Sequence, residues 1–219
     1  MSRRSSLVAV SWFVALAALK VAARRVQLRW GATDEEVAAF MPGDERVSVA
    51  DLIATRAIGI DAPVEAVWPW VVQIGQGRGG FYSYDWLENL AGCQIHSSDV
   101  IEARWQTVEA GQPIRLHPDV ELAVAALDPP RSLVLGPTAE SDDPRDTASS
   151  DDLDQLYDFS WAFVVQPDGS SRSRLVVRER YAGRSLLGRA LVEPLAVVSF
   201  VMTQRMLRGI RDRAESTGM

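Results

Sequence analysis

The chain has 219 residues, 47% of them hydrophobic, which is enough to close one sizeable core and favours a single domain. Its formal charge of -6 hides an asymmetry: residues 1–30 carry six basic side chains and no acidic one, so the remainder carries about -12. An acidic body argues against nucleic acid as a partner, and a single cysteine, Cys93, leaves no internal disulfide and no thiol-based metal or iron–sulfur centre.

The N-terminal stretch "MSRRSSLVAVSWFVALAALKVAARR" sets two arginines before an apolar run from Leu7 to Leu19, then Lys20 and a second arginine pair. As a helix, residues 7–23 would extend about 25 Å, slightly less than a hydrocarbon core of about 30 Å. The segment reads as a single membrane anchor. A docked amphipathic helix and a cleaved signal peptide are the alternatives, although no small-residue cleavage site follows. Arginines at both ends leave its orientation open, and the chain is expected to be membrane-associated or cytoplasmic. The predicted organisation is an apolar helix over residues 1–27, a polar connector over 28–50 and a main domain over 51–219. Within the connector, Thr33 and Glu36 have capping-box spacing for one short helix, and "MPGDE" then breaks the chain.

"DLIATRAIGIDAP" alternates, with Ala54, Arg56, Ile58 and Ile60 opposed to Ile53, Thr55, Ala57 and Gly59, and reads as a strand. A helix follows in "PVEAVWPWVVQIG", with Val64, Val67, Trp68, Val71 and Val72 on one stripe and Pro69 weakening its middle. The next glycines, Gly75, Gly77 and Gly80, satisfy G-x-G-x-x-G. A dinucleotide fingerprint needs those glycines after a strand and before a helix. Here they close a helix and lead to a second helical stretch, "YSYDWLENL", so they predict a reversal between two helices. Tyr82 and Trp86 would then share a helical face.

From residue 112 onward the signals change to strands: "QPIRLH", "VELAVAAL", "SLVLG", "YDFSWAFVVQP" and "RSRLVVRERY". Short turns containing Pro and Asp or Gly separate most of them, which implies an antiparallel meander. Tyr157, Phe159, Trp161, Phe163 and Val165 alternate with Asp158, Ser160 and Ala162, so one face is buried or lines a cavity. The acidic stretch over residues 138–153 has almost nothing apolar and is expected to be a loop. From Ser185 to about Glu215, Leu187, Leu191, Leu195, Val198, Met202, Met206 and Ile210 recur at helical spacing. Residues 190–202 are apolar nearly all round but too few to span a bilayer. A helix gripped by the sheet is the expected outcome.

This order of elements is the helix-grip arrangement. On "ATRAIGIDAPVEAVWPWVVQIGQGRGGFYSYDWLENLAGCQIHSSDVI", with "RWGATDEEV", "MPGDE" and "MLRGIRDRAE" as flanking matches, the chain resembles the START-like superfamily. That superfamily is also described as SRPBCC, or polyketide cyclase/dehydrase and lipid-transport proteins, and the likeness extends over about 190 residues from Leu28 onward. The resemblance implies an α+β fold in which a curved antiparallel sheet wraps around a long C-terminal helix, here with an added N-terminal apolar helix. It implies an apolar cavity between sheet and helix, suited to a lipid, isoprenoid or polyketide-like molecule.

The expected ligand contacts are Arg78, Tyr82, Tyr84, Trp161, Phe163, Val198, Met202 and Met206, with Phe159 as a further wall. For the last six, filling of the core is the alternative. Tyr84, Asp85 and His96 are the catalytic candidates, because proton-transfer chemistry needs such groups within hydrogen-bond reach of a substrate. Glu88, Asp99 and His117 complete the polar set, and structural pairing is the alternative for each. His96, Asp99 and Glu102 match no metal-ligand spacing, no nucleophile elbow is present, and no metal or cofactor is expected. The expected function is binding or transport of a hydrophobic small molecule. A cyclase, dehydratase or isomerase using the same cavity and a noncatalytic interaction module are the alternatives.

Overall fold

The computed structural model describes residues 3–137 and 156–217, so the acidic stretch 138–153 lies outside the described residues. In chain order the elements are α1 (Arg3–Arg29), α2 (Asp34–Ala38), β1 (Leu52–Ile60), α3 (Val64–Val72), α4 (Asp85–Leu90), β2 (Pro113–His117), β3 (Val120–Asp128), β4 (Ser132–Gly136), β5 (Tyr157–Pro167), β6 (Ser173–Gly183) and α5 (Leu186–Thr217). The strands form one antiparallel sheet in the order β1-β6-β5-β4-β3-β2. The five strand signals after residue 112 give the meander of β2 to β6, and β1 extends it by pairing with the far strand β6.

Register decides which residues look inward. Phe159 lies opposite Tyr181, Trp161 opposite Glu179 and Phe163 opposite Val177, while Ala54 pairs with Glu179 and Arg56 with Val177. Because side chains alternate across a strand, Ala54, Arg56, Glu179, Tyr181, Phe159 and Trp161 share one face. Across that face runs α5, which buries Thr203, Met206, Leu207, Ile210 and Ala214. Together with α3 this packing forms the main core, which includes Val67, Trp70, Ile60, Phe163 and Leu175. The architecture is an α+β helix-grip fold. Among the described residues, α5 is the one helix long and apolar enough to cross a membrane, and it is this gripped core helix.

The connector is part of the domain rather than a tether. Trp30 accepts a backbone hydrogen bond from Ala57 of β1, and Thr33 caps α2 in a capping box with Glu36. Residues 36–48 then cover the outer sheet face. Arg178 donates to Thr55 Oγ1, to Asp44 and to the carbonyls of Glu36, Val37 and Ala39. Arg180 donates to the carbonyls of Val47 and Ser48 and to Asp44. A sheet with charged residues on its outer face needs such a cover once that face is closed off from water, since buried cations must find acceptors.

Two local expectations are corrected. The buried indole of α3 is Trp70, not Trp68, because Trp70 packs edge-on against Tyr82 at 5.8 Å between ring centres. The second helix starts only at Asp85, so Tyr82 and Trp86 share no helical face: Tyr82 is buried with a φ of 56°, and Trp86 is exposed.

Candidate functional site

The stretch from Gln73 to Ser97 builds one end of the site. After α3, Gly75 and Gly80 exchange two backbone hydrogen bonds of 3.1 Å, closing a tight loop in which both residues have positive φ, a region open to glycine at little cost. Arg78 is bound inside this loop, donating to the carbonyls of Val72 and Trp105 at 3.0 Å each, and burial pulls its pKa below the ordinary guanidinium value. Gln73, fully buried, donates to the Val100 carbonyl and accepts from the Glu102 amide and Gln106. Asp85 then accepts from the Ser97 amide at 2.8 Å and its hydroxyl at 2.6 Å. These bonds hold the turn and α4 as a rigid wall.

Between that wall, the inner sheet face and α5 lies a cavity of about 920 Å³. Its apolar lining includes Phe81, Leu122, Phe159, Trp161, Met202 and Met206. Leu195 and Val198 of α5 also line it, and Val198 is 58% exposed, which places it at the rim. Two polar groups interrupt this surface.

The first is on α4. Glu88 lines the cavity, is buried, and has one carboxylate oxygen, Oε2, without a hydrogen-bond partner. Burial, reinforced by the charge of Asp85, pushes its carboxyl up to about 7. Ser83 and Cys93 line the same end, and burial together with the Glu88 charge raises the thiol. His117, also in the lining, hydrogen-bonds through Nε2 with the Ala91 carbonyl.

The second centres on Glu179 of β6. Its carboxylate accepts from Arg56 at 2.9 Å, Thr203 at 2.7 Å, Ser199 at 2.6 Å and Tyr181 at 3.0 Å. Arg56 and Glu179 are almost wholly removed from solvent. Four donors around one carboxylate compensate its desolvation in a way that a bare ion pair does not. Burial and the neighbouring Glu179 charge raise the Tyr181 phenol well above its ordinary value, so it stays protonated. Glu179, Tyr181, Ser199 and Thr203 all line the cavity.

Of the expected contacts, Trp161, Val198, Met202 and Met206 line the cavity. Phe163 lies outside that lining, fully buried in the core cluster with Val177 and Leu175. Arg78, Tyr82 and Tyr84 are also outside the lining. Tyr82 donates its hydroxyl to the Trp70 carbonyl at 3.1 Å, stacks under the Arg213 guanidinium, and is buried, which raises its pKa. Tyr84 precedes α4 as its N-cap residue without a capping side-chain bond. The catalytic candidates Asp85 and His96 likewise face away: Asp85 is committed to Ser97, and His96 is exposed. Asp99 pairs with Arg213 at 2.7 Å. The physical reason is common to these residues. Arg78, Tyr82 and Asp85 spend their hydrogen bonds on fixing the turn, and Phe81 and Ser83 are the residues between Gly75 and Tyr84 that reach the cavity lining.

Sequence reasoning gave Glu88 only as a member of a polar set and missed Arg56, Glu179, Tyr181, Ser199 and Thr203. A signal was present. Arg56 interrupts the face Ala54–Ile58–Ile60, Glu179 interrupts Leu175–Val177, and Ser199 and Thr203 are four apart on the helix that crosses both.

No family model matches the chain, and no curated protein matches it. Solved structures match it in fold. A hypothetical protein from Helicobacter pylori is 12% identical, over 81% of this chain and 96% of that one, with a TM-score of 0.46. A norcoclaurine synthase point mutant from Thalictrum flavum, in complex with a transition-state analogue, is 12% identical over 77% of this chain and 96% of that one, with a TM-score of 0.42. The di-domain ARO/CYC protein BexL of the BE-7585A biosynthetic pathway is 13% identical over 75% of this chain, with a TM-score of 0.38. The chain spans about half of that protein's length, 46%. These are likenesses of architecture alone.

Proposed function

We propose that the protein binds a hydrophobic small molecule, of lipid, isoprenoid or polyketide-like character, between the inner sheet face and α5. The observation that carries this reading is the cavity of about 920 Å³, near the upper end of the range for small-molecule sites. A domain whose aromatic and methionine residues only filled a core would not leave that volume, since interiors pack as densely as organic crystals. Native mass spectrometry of the purified protein, followed by organic extraction, tests it. The expected result is a retained apolar molecule that is lost on Met202→Trp, a substitution that places a large ring in the lining. Equal retention by the variant would overturn the reading.

An enzyme of the cyclase, dehydratase or isomerase type is the second reading, favoured by one observation: the buried Glu88 carboxyl titrates near neutral pH inside the cavity, as an acid–base group must. The cavity contributes no such role to Tyr84, Asp85 or His96. Attachment to a membrane through residues 7–23 also belongs to this proposal. Trp12, Leu16, Leu19 and Val21 of α1 are exposed, and Lys20 with Arg24 and Arg25 follows them at the end nearer the domain, as snorkelling cations would.

A further inference from the structure

We infer that Glu88 is the anchoring group of the cavity, and that the ligand is an apolar molecule whose polar end is a neutral hydrogen-bond donor, an alcohol or phenol, rather than a carboxylate or phosphate. The inference rests on the ligand-binding reading above and narrows it to a chemical class. Three observations support it.

Glu88 is 8% exposed and its Oε2 has no partner. Most buried polar atoms in folded proteins are satisfied, and an unmade hydrogen bond in an apolar wall is costly. The rest of the α4 end has its bonds in place: Asp85 is satisfied by Ser97, and Asn89 exchanges two bonds with the Ile95 backbone. Glu88 is therefore the group at this wall that a ligand donor would complete.

A second unpartnered polar atom, Trp161 Nε1, belongs to a side chain that lines the same cavity. It is a donor only. A hydroxyl suits both groups in kind, since it donates one bond and accepts others, whereas an alkyl end satisfies neither.

The charges of the lining exclude an anion. Glu88, Glu121, Asp158 and Glu179 face the cavity, against Arg184 and His117. Arg184 is paired with Asp158 at 2.9 Å, the Glu179 charge is matched by Arg56 from behind the lining, and Glu121 faces Arg115 at 3.7 Å, which leaves Glu88 as the carboxyl without a cationic partner. The groups near Glu88 are Asp85 on its own helix, Cys93 just after it, and Ser83 before it, whose hydroxyl hydrogen-bonds the carboxyl and partly offsets its burial while Oε2 stays without a partner, with His117 of β2 and Glu121 of β3 across the cavity. A ligand carboxylate at this wall would meet Glu88 at close quarters, and like charges repel strongly where water is excluded.

The test uses the full-length protein and three probes on one ring system: 2-naphthol, 2-methylnaphthalene and 2-naphthoate. Affinities are read by calorimetric titration at pH 8. The expected order is 2-naphthol, then 2-methylnaphthalene about 10-fold weaker, as one hydrogen bond to a charged group gives, then 2-naphthoate weakest. In Glu88→Leu the preference for 2-naphthol over 2-methylnaphthalene is expected to vanish while 2-methylnaphthalene binds at least as well. Glu88→Gln, which keeps the shape, should retain part of the preference but lose its change between pH 6 and pH 8. Equal affinities of the two neutral probes for the wild-type protein, or a preference that survives in Glu88→Leu, overturn the inference and leave the cavity reading intact. Failure of all three probes to bind overturns the cavity reading, and the inference with it.

Discussion

A carboxyl held at about 7 inside an apolar wall is a stability statement as well as a binding one. The ordinary value is 4.5, so between these two values the folded protein keeps a proton that the unfolded chain has released. Stability from this site is fully present below the lower value and is lost as pH rises through 7, after which the charged form stays buried at its full desolvation cost. Glu88→Gln removes that titration. Its melting temperature should match the wild type near pH 4.5 and exceed it at pH 8, by about 3 kcal/mol in stability. Thermal denaturation at both values checks this, and a pH-independent difference would contradict it.

At the scale of elements, α5 packs closely against the chain that follows the glycine turn. Gly209 sits where an added Cβ would lie 2.3 Å from the Tyr82 carbonyl oxygen and 2.8 Å from its Cβ. In an isolated helix, Gly→Ala would stabilise by up to about 1 kcal/mol. Here the neighbour is backbone held by Ser97 and Trp70, so it cannot move aside cheaply. Gly209→Ala should therefore destabilise, by roughly 1–3 kcal/mol, and lower the melting temperature measured by circular dichroism. An unchanged or raised value would show that the turn is softer than its hydrogen bonds indicate. The same logic explains why α4 is short. Tyr82 has a left-handed backbone, which no helix continues through, so the helical stretch starts three residues later than its composition invites.

For the whole molecule, the ties of α1 to the rest of the fold begin at Arg24. Arg24 forms a bidentate pair with Glu193 of α5, Arg56 donates to the Gln27 carbonyl at 3.0 Å, and Leu28 packs on the cluster of Leu52, Tyr181 and Val192. Residues beyond Arg24 toward the N-terminus have no comparable ties among those whose side chains are described. Deleting residues 1–23 should leave the circular dichroism spectrum and melting temperature of the domain unchanged and shift the protein from the membrane pellet to the supernatant. Full-length protein that stays in the supernatant without detergent would count against the anchor. Deletion through residue 50 would remove the Asp44 and carbonyl acceptors of Arg178 and Arg180, and with them the cover of the outer sheet face, leaving Arg178 its bond to Thr55.

The sequence by itself determined the elements. Period-two alternation located β1 and β5, turn residues separated the meander, and three- and four-residue spacing located α5, because these patterns depend only on local geometry and on one face avoiding water. It also determined that Trp161, Met202 and Met206 lie on inward faces. Tertiary structure alone decided what those faces meet. Arg56, Glu179, Ser199 and Thr203 are far apart in the chain and each looks like a lone polar residue on an apolar face; only strand register and the path of α5 make them one hydrogen-bonded cluster. Arg78, Tyr82 and Asp85 looked chemical because of their residue types, yet the turn consumes their hydrogen bonds. Glu88, one helical turn beyond Asp85, is the carboxylate left facing the cavity with an oxygen unsatisfied. Residue type sets which bonds a side chain can make, and the fold sets which of them are already made.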